Sequence, residues 1–159
     1  MVVHPGTSAP ARACPPDLCA AIVDALTAAG HRVVVTGGPG ETDLTGHVAA
    51  GPAADLGGAL TWSALAGVLA GAACVVVGNT GPAHLAAAVG TPVVSLYAPT
   101  VPYGAWGPYR VPTVRLGAAD TPCRDSRAVT CPLPGHPCLS TVDPAAVVAA
   151  VGVLTGGPA

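Results

Sequence analysis

The sequence contains no lysine and no phenylalanine, and only 9% of its 159 residues are charged. Its six basic residues are all arginines, scattered along the chain, and the net charge is −2. A chain without a basic patch lacks the electrostatic attraction that nucleic acids and acidic membranes require. We therefore do not expect a nucleic-acid partner or a membrane anchor made of basic residues.

Long apolar runs are also missing. Residues 60–77 form the most apolar stretch, but Gly67 and Gly71 interrupt it and divide it into a helix and a strand. A membrane-spanning helix needs about 20 consecutive apolar residues. The polar turn at residues 4–6 (HPG) follows the start directly, so no signal peptide is expected. The predictions are no transmembrane segment and a cytoplasmic location, either free or peripheral at the inner face of the membrane.

Cys-x-x-Cys pairs are absent, although the chain has six cysteines. In a cytoplasmic chain this favours free thiols over a disulfide framework. Cys123, Cys131, His136 and Cys138 lie within one short segment and leave a zinc site open. Their irregular spacing and the intervening prolines favour a loop that packs on the domain. Cys74 lies in an apolar run and is expected in the core.

Hydrophobic residues make up 51% of the chain, which argues against disorder despite 21 glycines and 18 prolines. Short β-branched runs alternate with segments of helical periodicity, as in a parallel sheet joined by right-handed helical crossovers. The length fits a single domain. We therefore predict an α/β fold, a Rossmann-like parallel sheet with helices on both faces. Strands are expected at residues 2–4, 31–36, 74–78, 92–97 and 114–116, and helices at 16–29, 43–50, 61–69, 82–90 and from 143 onward.

The spacing of apolar residues also predicts which faces are buried. In the first helix, the residues expected to share one face are Leu18, Ile22, Leu26 and Ala29. Three consecutive valines at 75–77 predict a strand that is covered on both sides.

Three loops follow predicted strands and therefore fall on one edge of the sheet, where folds of this type bind ligands. They are residues 5–12, 37–41 and 79–84. Each is rich in glycine, proline or small polar residues, and none needs that composition merely to turn. Their shared position predicts a ligand site at this edge.

The loop at 79–84 opens a helix, whose first turn offers unpaired N–H groups and a partial positive charge to a phosphate. Gly81 permits close approach of the backbone, Thr80 offers a hydroxyl, and His84 lies within the first turn. A simpler alternative is that Thr80 only caps the helix and His84 is a solvated surface residue. The neighbouring loops favour the phosphate hypothesis.

Residues 78–88 (GNTGPAHLAAA), followed by GTPVV at 90–94, resemble the signature of glycosyltransferase family 9, the bacterial heptosyltransferase group. Residues 4–8 (HPGTS), 36–41 (TGGPGE) and 131–138 lie where that family has comparable elements. Four ordered motifs in one chain make the resemblance specific at the level of the family. It covers nearly the whole chain but only the C-terminal half of a family member.

The resemblance implies a GT-B fold, in which two Rossmann-like domains enclose the active site. Residues 1–159 would be the C-terminal, donor-binding domain, with a separate N-terminal acceptor domain as its partner. The implied donor is a nucleotide diphosphate sugar, ADP-heptose in the best-known members, and neither a cofactor nor a protein-bound metal is expected. The sugar would be transferred with inversion to a glycan, a lipid-linked acceptor or a small molecule.

The family pattern also implies roles for individual residues. Those implied to line the diphosphate are Thr7, Ser8, Thr80, Gly81 and His84. Glu41 would accept hydrogen bonds from the ribose hydroxyls, and Arg12 stands where the family carries a basic residue near the phosphates. Two positions depart from the family: Asn79 replaces the usual Asp, and residues 14–15 (CP) replace a usual Trp-Pro pair. The lost charge at Asn79 predicts altered handling of the sugar or phosphate.

Negative charge grows on the departing diphosphate during transfer, and N–H donors, hydroxyls and an arginine are suited to stabilise it. The carboxylate base of the family belongs to its N-terminal domain. We therefore expect this chain to bind the donor and to transfer little or no sugar. A stand-alone nucleotide-binding module and an inactive remnant of an enzyme remain as alternatives.

Aromatic residues are concentrated in and beside residues 99–112, which are expected to form a loop. They are Tyr97, Tyr103, Trp106 and Tyr109. Aromatic rings in this position can stack on adenine, shape the domain cleft or simply pack within the loop, and the sequence leaves these interpretations open.

Overall fold

The computed structural model describes residues 1–157, which contain one six-stranded parallel sheet. Its strands are β1 (Val2–His4), β2 (Val34–Val35), β3 (Ala54–Asp55), β4 (Val75–Gly78), β5 (Val93–Leu96) and β6 (Thr113–Leu116). They lie in the order β3-β2-β1-β4-β5-β6. Positions 158 and 159 of the predicted domain lie outside the described residues.

Helices connect the strands and confirm the predicted α/β fold. They are α1 (Pro16–Ala28), α2 (Thr42–Val48), α3 (Trp62–Ala70), α4 (Gly81–Ala88), α5 (Tyr103–Trp106), α6 (Pro137–Ser140) and α7 (Pro144–Thr155). Short 3₁₀ turns at Pro10–Arg12 and Pro39–Glu41 follow β1 and β2. Within residues 1–157, no helix has both the length and the apolar character needed to cross a membrane.

Both faces of the sheet are covered by helices. On one side α1, α2 and α7 pack on the sheet, and on the other side α3 and α4 do. The three valines of β4 divide between these layers, since Val76 faces the first core and Val75 and Val77 face the second. This confirms the prediction that the run of valines marks a strand buried on both sides.

The chain order of the strands reverses between β1 and β4. These two strands are neighbours and run parallel, yet α1 leaves β1 towards one face and α4 leaves β4 towards the other. The loops that leave the two strands therefore diverge and open a crevice at the carboxyl edge of the sheet. In folds of this type, ligands bind in such a crevice.

β2 (Val34–Val35) is shorter than the strand predicted at residues 31–36, and the first of these residues, His31, belongs to the cap that follows α1. Gly30 ends the helix with φ +87°, and the N–H of His31 donates to Leu26 O at 3.0 Å. This is a common way to end a helix with glycine in the left-handed region. Ala29, which was predicted on the same face as Ile22 and Leu26, is the C-cap residue of α1 and is exposed.

Some short elements were not predicted. α5 lies within residues 99–112, which were expected to be a loop, and α6 lies in the cysteine-rich segment. β3 contains two exposed residues, too few to show an alternating pattern. Elements of this length depend on contacts with their neighbours, and sequence periodicity does not reveal them.

Candidate functional site

A cavity of about 370 Å³ opens at the crevice between β1 and β4. The loops after β1, β2 and β4 form three of its walls, and the start of α3 forms the fourth. The fold thus brings the three predicted loops together. The predicted site residues that line the cavity are Thr7, Ser8, Glu41, Thr80 and Gly81.

Three other predicted residues lie outside its lining. The Arg12 guanidinium lies over the Trp106 ring, 5.7 Å from its centre. Asn79, only 3% exposed, is buried at the end of β4, and its Nδ2 has no hydrogen-bond partner in the described part of the chain. His84 is exposed on the first turn of α4. The structure therefore places these residues around the cavity and not in its wall.

At the start of α4, a side-chain hydroxyl and a backbone N–H have no hydrogen-bond partner among the described residues. Thr80 is the N-cap residue with an extended backbone (φ −153°, ψ 172°), but its side chain makes no capping hydrogen bond. The hydroxyl therefore does not cap the helix, whereas the exposed position of His84 agrees with the alternative that it is a solvated surface residue. Gly81 lies against Trp62, since a Cβ at position 81 would be 3.2 Å from Cη2 of that ring. Pro82 has no N–H and the Ala83 N–H donates to Thr80 O at 3.1 Å, so the Thr80 hydroxyl and the Gly81 N–H are the donors that remain for a ligand at this helix start.

The Glu41 carboxylate joins two of the loops. Its Oε2 accepts a hydrogen bond from the Gly38 N–H at 2.7 Å. The same carboxylate lies so close to Gly6 that a Cβ at position 6 would overlap it. Glycine at position 6 is thus needed for this close approach. The result is a carboxylate with a fixed orientation in the cavity wall.

His4, to which the sequence analysis gave no role, also lines the cavity. Its Nδ1 lies 3.0 Å from Oγ1 of Thr36, whose side chain is fully buried. Within residues 1–157, Nδ1 of His4 is the one acceptor near the Thr36 hydroxyl. A buried O–H without a partner would be unfavourable, so we assign the hydroxyl as the donor and Nδ1 as the acceptor. A neutral ring then carries its proton on Nε2. Burial lowers the pKa of His4, and the nearby Glu41 carboxylate partly opposes this shift.

Trp62 is a second residue of the cavity wall to which no role was assigned from the sequence. It is the first residue of α3 and is 64% exposed, and its neighbours in the wall are Leu60 and Leu65. An exposed indole beside apolar side chains offers a flat surface for a nucleotide base. The sequence marks the helix start through the Thr61 cap, but only the tertiary fold places that start against Gly81.

The aromatic cluster beside residues 99–112 serves mainly to pack and to hold arginines. Tyr97 is fully buried, and its hydroxyl donates to a backbone carbonyl. The ring of Tyr103 meets it edge-on at 4.8 Å between centres. Burial raises the pKa of Tyr97 to about 12, against the opposing effect of Arg115 and Arg12. Neither tyrosine lines the crevice cavity, so packing describes this pair and base stacking does not.

The cysteine-rich segment packs on the first loop. The ring Nε2 of His136 lies 3.1 Å from the backbone oxygen of Ala11, and Cys138 is buried in the core. Sγ of Cys123 lies 3.2 Å from the hydroxyl of Thr121. All six cysteines are free thiols. Among residues 1–157, no group of three or more histidine, cysteine or acidic side chains is arranged to hold a metal ion.

Comparison with known proteins identifies the family. The model of glycosyltransferase family 9 (heptosyltransferase) matches residues 1–136. The chain belongs to glycosyltransferase family 9. Lipopolysaccharide heptosyltransferase 3 of Escherichia coli is 35% identical to it over 116 residues, which are 67% of this chain and 34% of that protein.

Solved structures of the family share the fold. A family 9 glycosyltransferase from Veillonella parvula superposes with a TM-score of 0.82 at 21% identity, over 98% of this chain and 46% of that one. An E. coli heptosyltransferase solved with ADP gives a TM-score of 0.74 at 25% identity, over 96% and 43% of the two chains. The same enzyme solved with ADP-2-deoxy-2-fluoro heptose gives 0.62 at 28% identity, over 75% and 38%. The chain thus spans less than half the length of these relatives.

The buried His4 predicts a pH dependence of stability. Because burial lowers its pKa in the folded protein below the ordinary value of 6.5, the unfolded chain takes up the proton first as the pH falls. The contribution of neutral His4 is therefore complete above about pH 6.5 and is lost as the pH falls through the folded pKa. Urea unfolding should show that the free-energy difference between wild type and His4→Gln shrinks as the solution is acidified. The exposed His47 provides the control: His47→Gln should not reproduce this trend.

Proposed function

We propose that this chain is the donor-binding half of a family 9 glycosyltransferase and that its cavity binds a nucleotide diphosphate sugar, with ADP-heptose as the donor. The observation that carries the proposal is the combination of groups in one cavity at the strand-order reversal. It offers an open helix start, hydroxyls, one carboxylate and an exposed indole, which match a diphosphate, a ribose and a base. The ADP complex of the E. coli relative supports the same assignment.

The diphosphate is proposed to lie at the start of α4. The Thr80 hydroxyl and the Gly81 N–H would donate to its oxygens, as would the Thr7 and Ser8 hydroxyls from the facing loop. His84 and Arg12 lie outside the cavity and would meet the charge at its edges. These donors would stabilise the leaving diphosphate without a bound metal, as the family resemblance implies.

The ribose and the adenine are proposed to lie beside the diphosphate, against the loop after β2 and the start of α3. Glu41 is held by Gly38 and would accept hydrogen bonds from the ribose hydroxyls. Trp62 would stack on the base, with Leu60 and Leu65 beside it. Stacking of a base on an aromatic side chain contributes about 1–3 kcal/mol.

Asn79 is proposed to contact the donor where the family usually carries a carboxylate. Its buried Nδ2 has no partner among the described residues, and an unpaired buried N–H costs about 1–3 kcal/mol. A sugar or phosphate oxygen that reaches this group would remove that cost. A neutral amide at this position would also repel the diphosphate less than a carboxylate does.

Transfer is proposed to occur with inversion, after a separate acceptor-binding domain supplies the base that deprotonates the acceptor hydroxyl. The match to less than half of each solved relative supports this division of labour. The acceptor would be a glycan, a lipid-linked molecule or a small molecule. The six free thiols favour a reducing compartment, so we propose the cytoplasm, including the inner face of the membrane, as the location.

Binding of ADP is expected to quench the fluorescence of Trp62. The second tryptophan, Trp106, lies against Arg12 and outside the cavity, so Trp62→Phe and Trp106→Phe form a matched pair. The ADP signal should persist in Trp106→Phe and disappear in Trp62→Phe, and EDTA should leave the affinity unchanged. Trp62→Ala should weaken ADP binding about tenfold.

Two outcomes would contradict the proposal at different levels. A fluorescence response that persists in Trp62→Phe would remove the stacking role of Trp62 but leave the cavity as the nucleotide site. If calorimetry detects no heat from ADP or an ADP-sugar at millimolar concentration, the donor-binding function itself is wrong.

Glu41 is expected to distinguish ribose from deoxyribose. Wild-type protein should bind ADP about tenfold more tightly than its 2′- or 3′-deoxy analogue, because a hydrogen bond to a charged acceptor contributes about 1.5–3 kcal/mol. In Glu41→Gln this preference should fall to near unity. Asp43→Asn removes the same charge from an exposed position two residues away and should keep the preference. Equal preferences in wild type and Glu41→Gln would exclude the ribose contact.

His84→Ala is expected to weaken ADP binding about two- to fivefold, as expected for one exposed polar contact. Adenosine binding should not change, because the lost contact is to the diphosphate. Since His84 is exposed, the free energy of unfolding should stay within about 0.5 kcal/mol of wild type. A clear loss of stability with unchanged ADP affinity would instead make His84 a structural residue. His47→Ala, on another exposed surface, is the control.

A further inference from the structure

A second cavity, of about 300 Å³, lies where the chain leaves β5 and β6. It shares no lining residue with the donor cavity. Its walls come from the start of the loop after β5, from Arg115 on β6, and from Arg124 and Asp125 in the segment that follows β6. Two arginines and one carboxylate give this lining a net positive charge.

Arg115 is the most constrained of these charges. Its guanidinium lies 5.0 Å from the ring centre of Tyr97 and 4.8 Å from that of Tyr103. Its Nε is buried without a partner, and no carboxylate of residues 1–157 lies within ion-pair distance of this side chain. Aromatic rings fix the position of a guanidinium but do not accept its in-plane N–H groups.

The geometry of the Arg115 N–H groups indicates which ligands they can bind. A guanidinium presents planar pairs of N–H groups that match the two oxygens of a carboxylate or of a phosphate. Arg115 is held in place before any ligand arrives, so little side-chain entropy is lost on binding. Unsatisfied donors that line a cavity are a reason to expect an acceptor there.

The opposite wall of the cavity is also fixed. Asp125 and Arg127 both have φ +57°, in the left-handed region that such residues rarely adopt. Their N–H groups donate to the backbone oxygens of Pro99 and Thr100 at 2.8 and 2.7 Å. These two hydrogen bonds fasten the segment to the loop after β5. Arg124 stands at the more exposed rim, with its Nε 3.6 Å from Asp125 Oδ2.

We infer that this second cavity is a binding site for an anionic oxygen group, a phosphate ester or a carboxylate, with Arg115 as the principal donor and Arg124 as a rim charge. The site is separate from the donor cavity and does not depend on which nucleotide sugar is bound there. An acidic substituent of a second substrate and a free small anion present the same chemistry to Arg115.

The arginine side chains themselves provide the measurement. Because the chain has six arginines and no lysine, its arginine Nε–H resonances are few and can be assigned by single substitutions. Sodium phosphate, methyl phosphate and sodium acetate are each titrated into ¹⁵N-labelled protein at constant ionic strength, with sodium chloride as the reference. We expect a saturable shift of the Arg115 Nε–H resonance with phosphate or acetate and none with chloride. The tighter ligand identifies the group, and a preference for methyl phosphate over phosphate distinguishes an ester substituent from a free anion.

Substitutions of single arginines distinguish anion binding at this cavity from a general effect of positive charge. Arg124→Gln should weaken binding about two- to fivefold, the effect of one exposed charge. Arg32→Gln, at the amino end of β2, should leave the affinity unchanged. Arg115→Gln should abolish the saturable response in the remaining resonances of the cavity. If that variant unfolds, Arg115→Lys keeps the charge but loses the planar donors and should bind at least tenfold more weakly.

Two results would overturn the inference. A shift that grows linearly with every salt, chloride included, would show that only screening acts on Arg115. Loss of the phosphate-induced shift of the Arg115 resonance in the presence of saturating ADP would show that the second cavity belongs to the nucleotide site. The donor proposal is tested separately by the Trp62 response to ADP, so either hypothesis can fail without the other.

Discussion

The position of β1 between β2 and β4 is the constraint on which the rest of this structure depends. The three strands are parallel and in register, and valines buried on both sides of the sheet hold them there. Because each strand ends at the same edge, loops that are distant in sequence become neighbours. Because the helices after β1 and β4 go to opposite faces, these loops do not close over the edge. A cavity at this point is therefore a consequence of strand order, before any site residue is considered.

Contacts between the loops turn this opening into a defined site. Glu41 reaches from the loop after β2 to Gly6 in the loop after β1, and its bond to Gly38 fixes the carboxylate. Below it, the His4 ring is joined to Thr36, so the ends of β1 and β2 are also linked by side chains. Each contact uses a polar group that would otherwise be unpaired close to the core. Glu41, which is proposed to bind the ribose, thus also holds two loops together, so binding and local stability are coupled through it.

The sheet and the three loops were predictable from the sequence, because valine runs and glycine-rich turns act through local geometry. The predicted β2 was too long at its amino end, where the N–H of His31 bonds to Leu26 O in the cap of α1 and not to a neighbouring strand. The position of Trp62 in the cavity wall was not predicted, for a different reason. A tryptophan at the start of a helix carries no sequence pattern that marks a binding site. Trp62 reaches the cavity wall because it contacts Gly81 on another helix. Properties that depend on neighbours distant in sequence were not predictable from periodicity.

The role of the aromatic residues near the sheet edge was also not predictable from the sequence. In the structure these rings fix the positions of two of the few arginines. The sequence left open whether they stack on a base, but in the structure Trp106 lies against Arg12, and Tyr97 and Tyr103 lie against Arg115. A ring restricts a guanidinium while leaving its N–H groups unused. In a chain with six basic residues, holding two of them in this way concentrates positive charge at the carboxyl edge of the sheet. Arg12 stands near the donor cavity and Arg115 lines the second one, so the two cavities can each attract an anion although the net charge of the protein is negative.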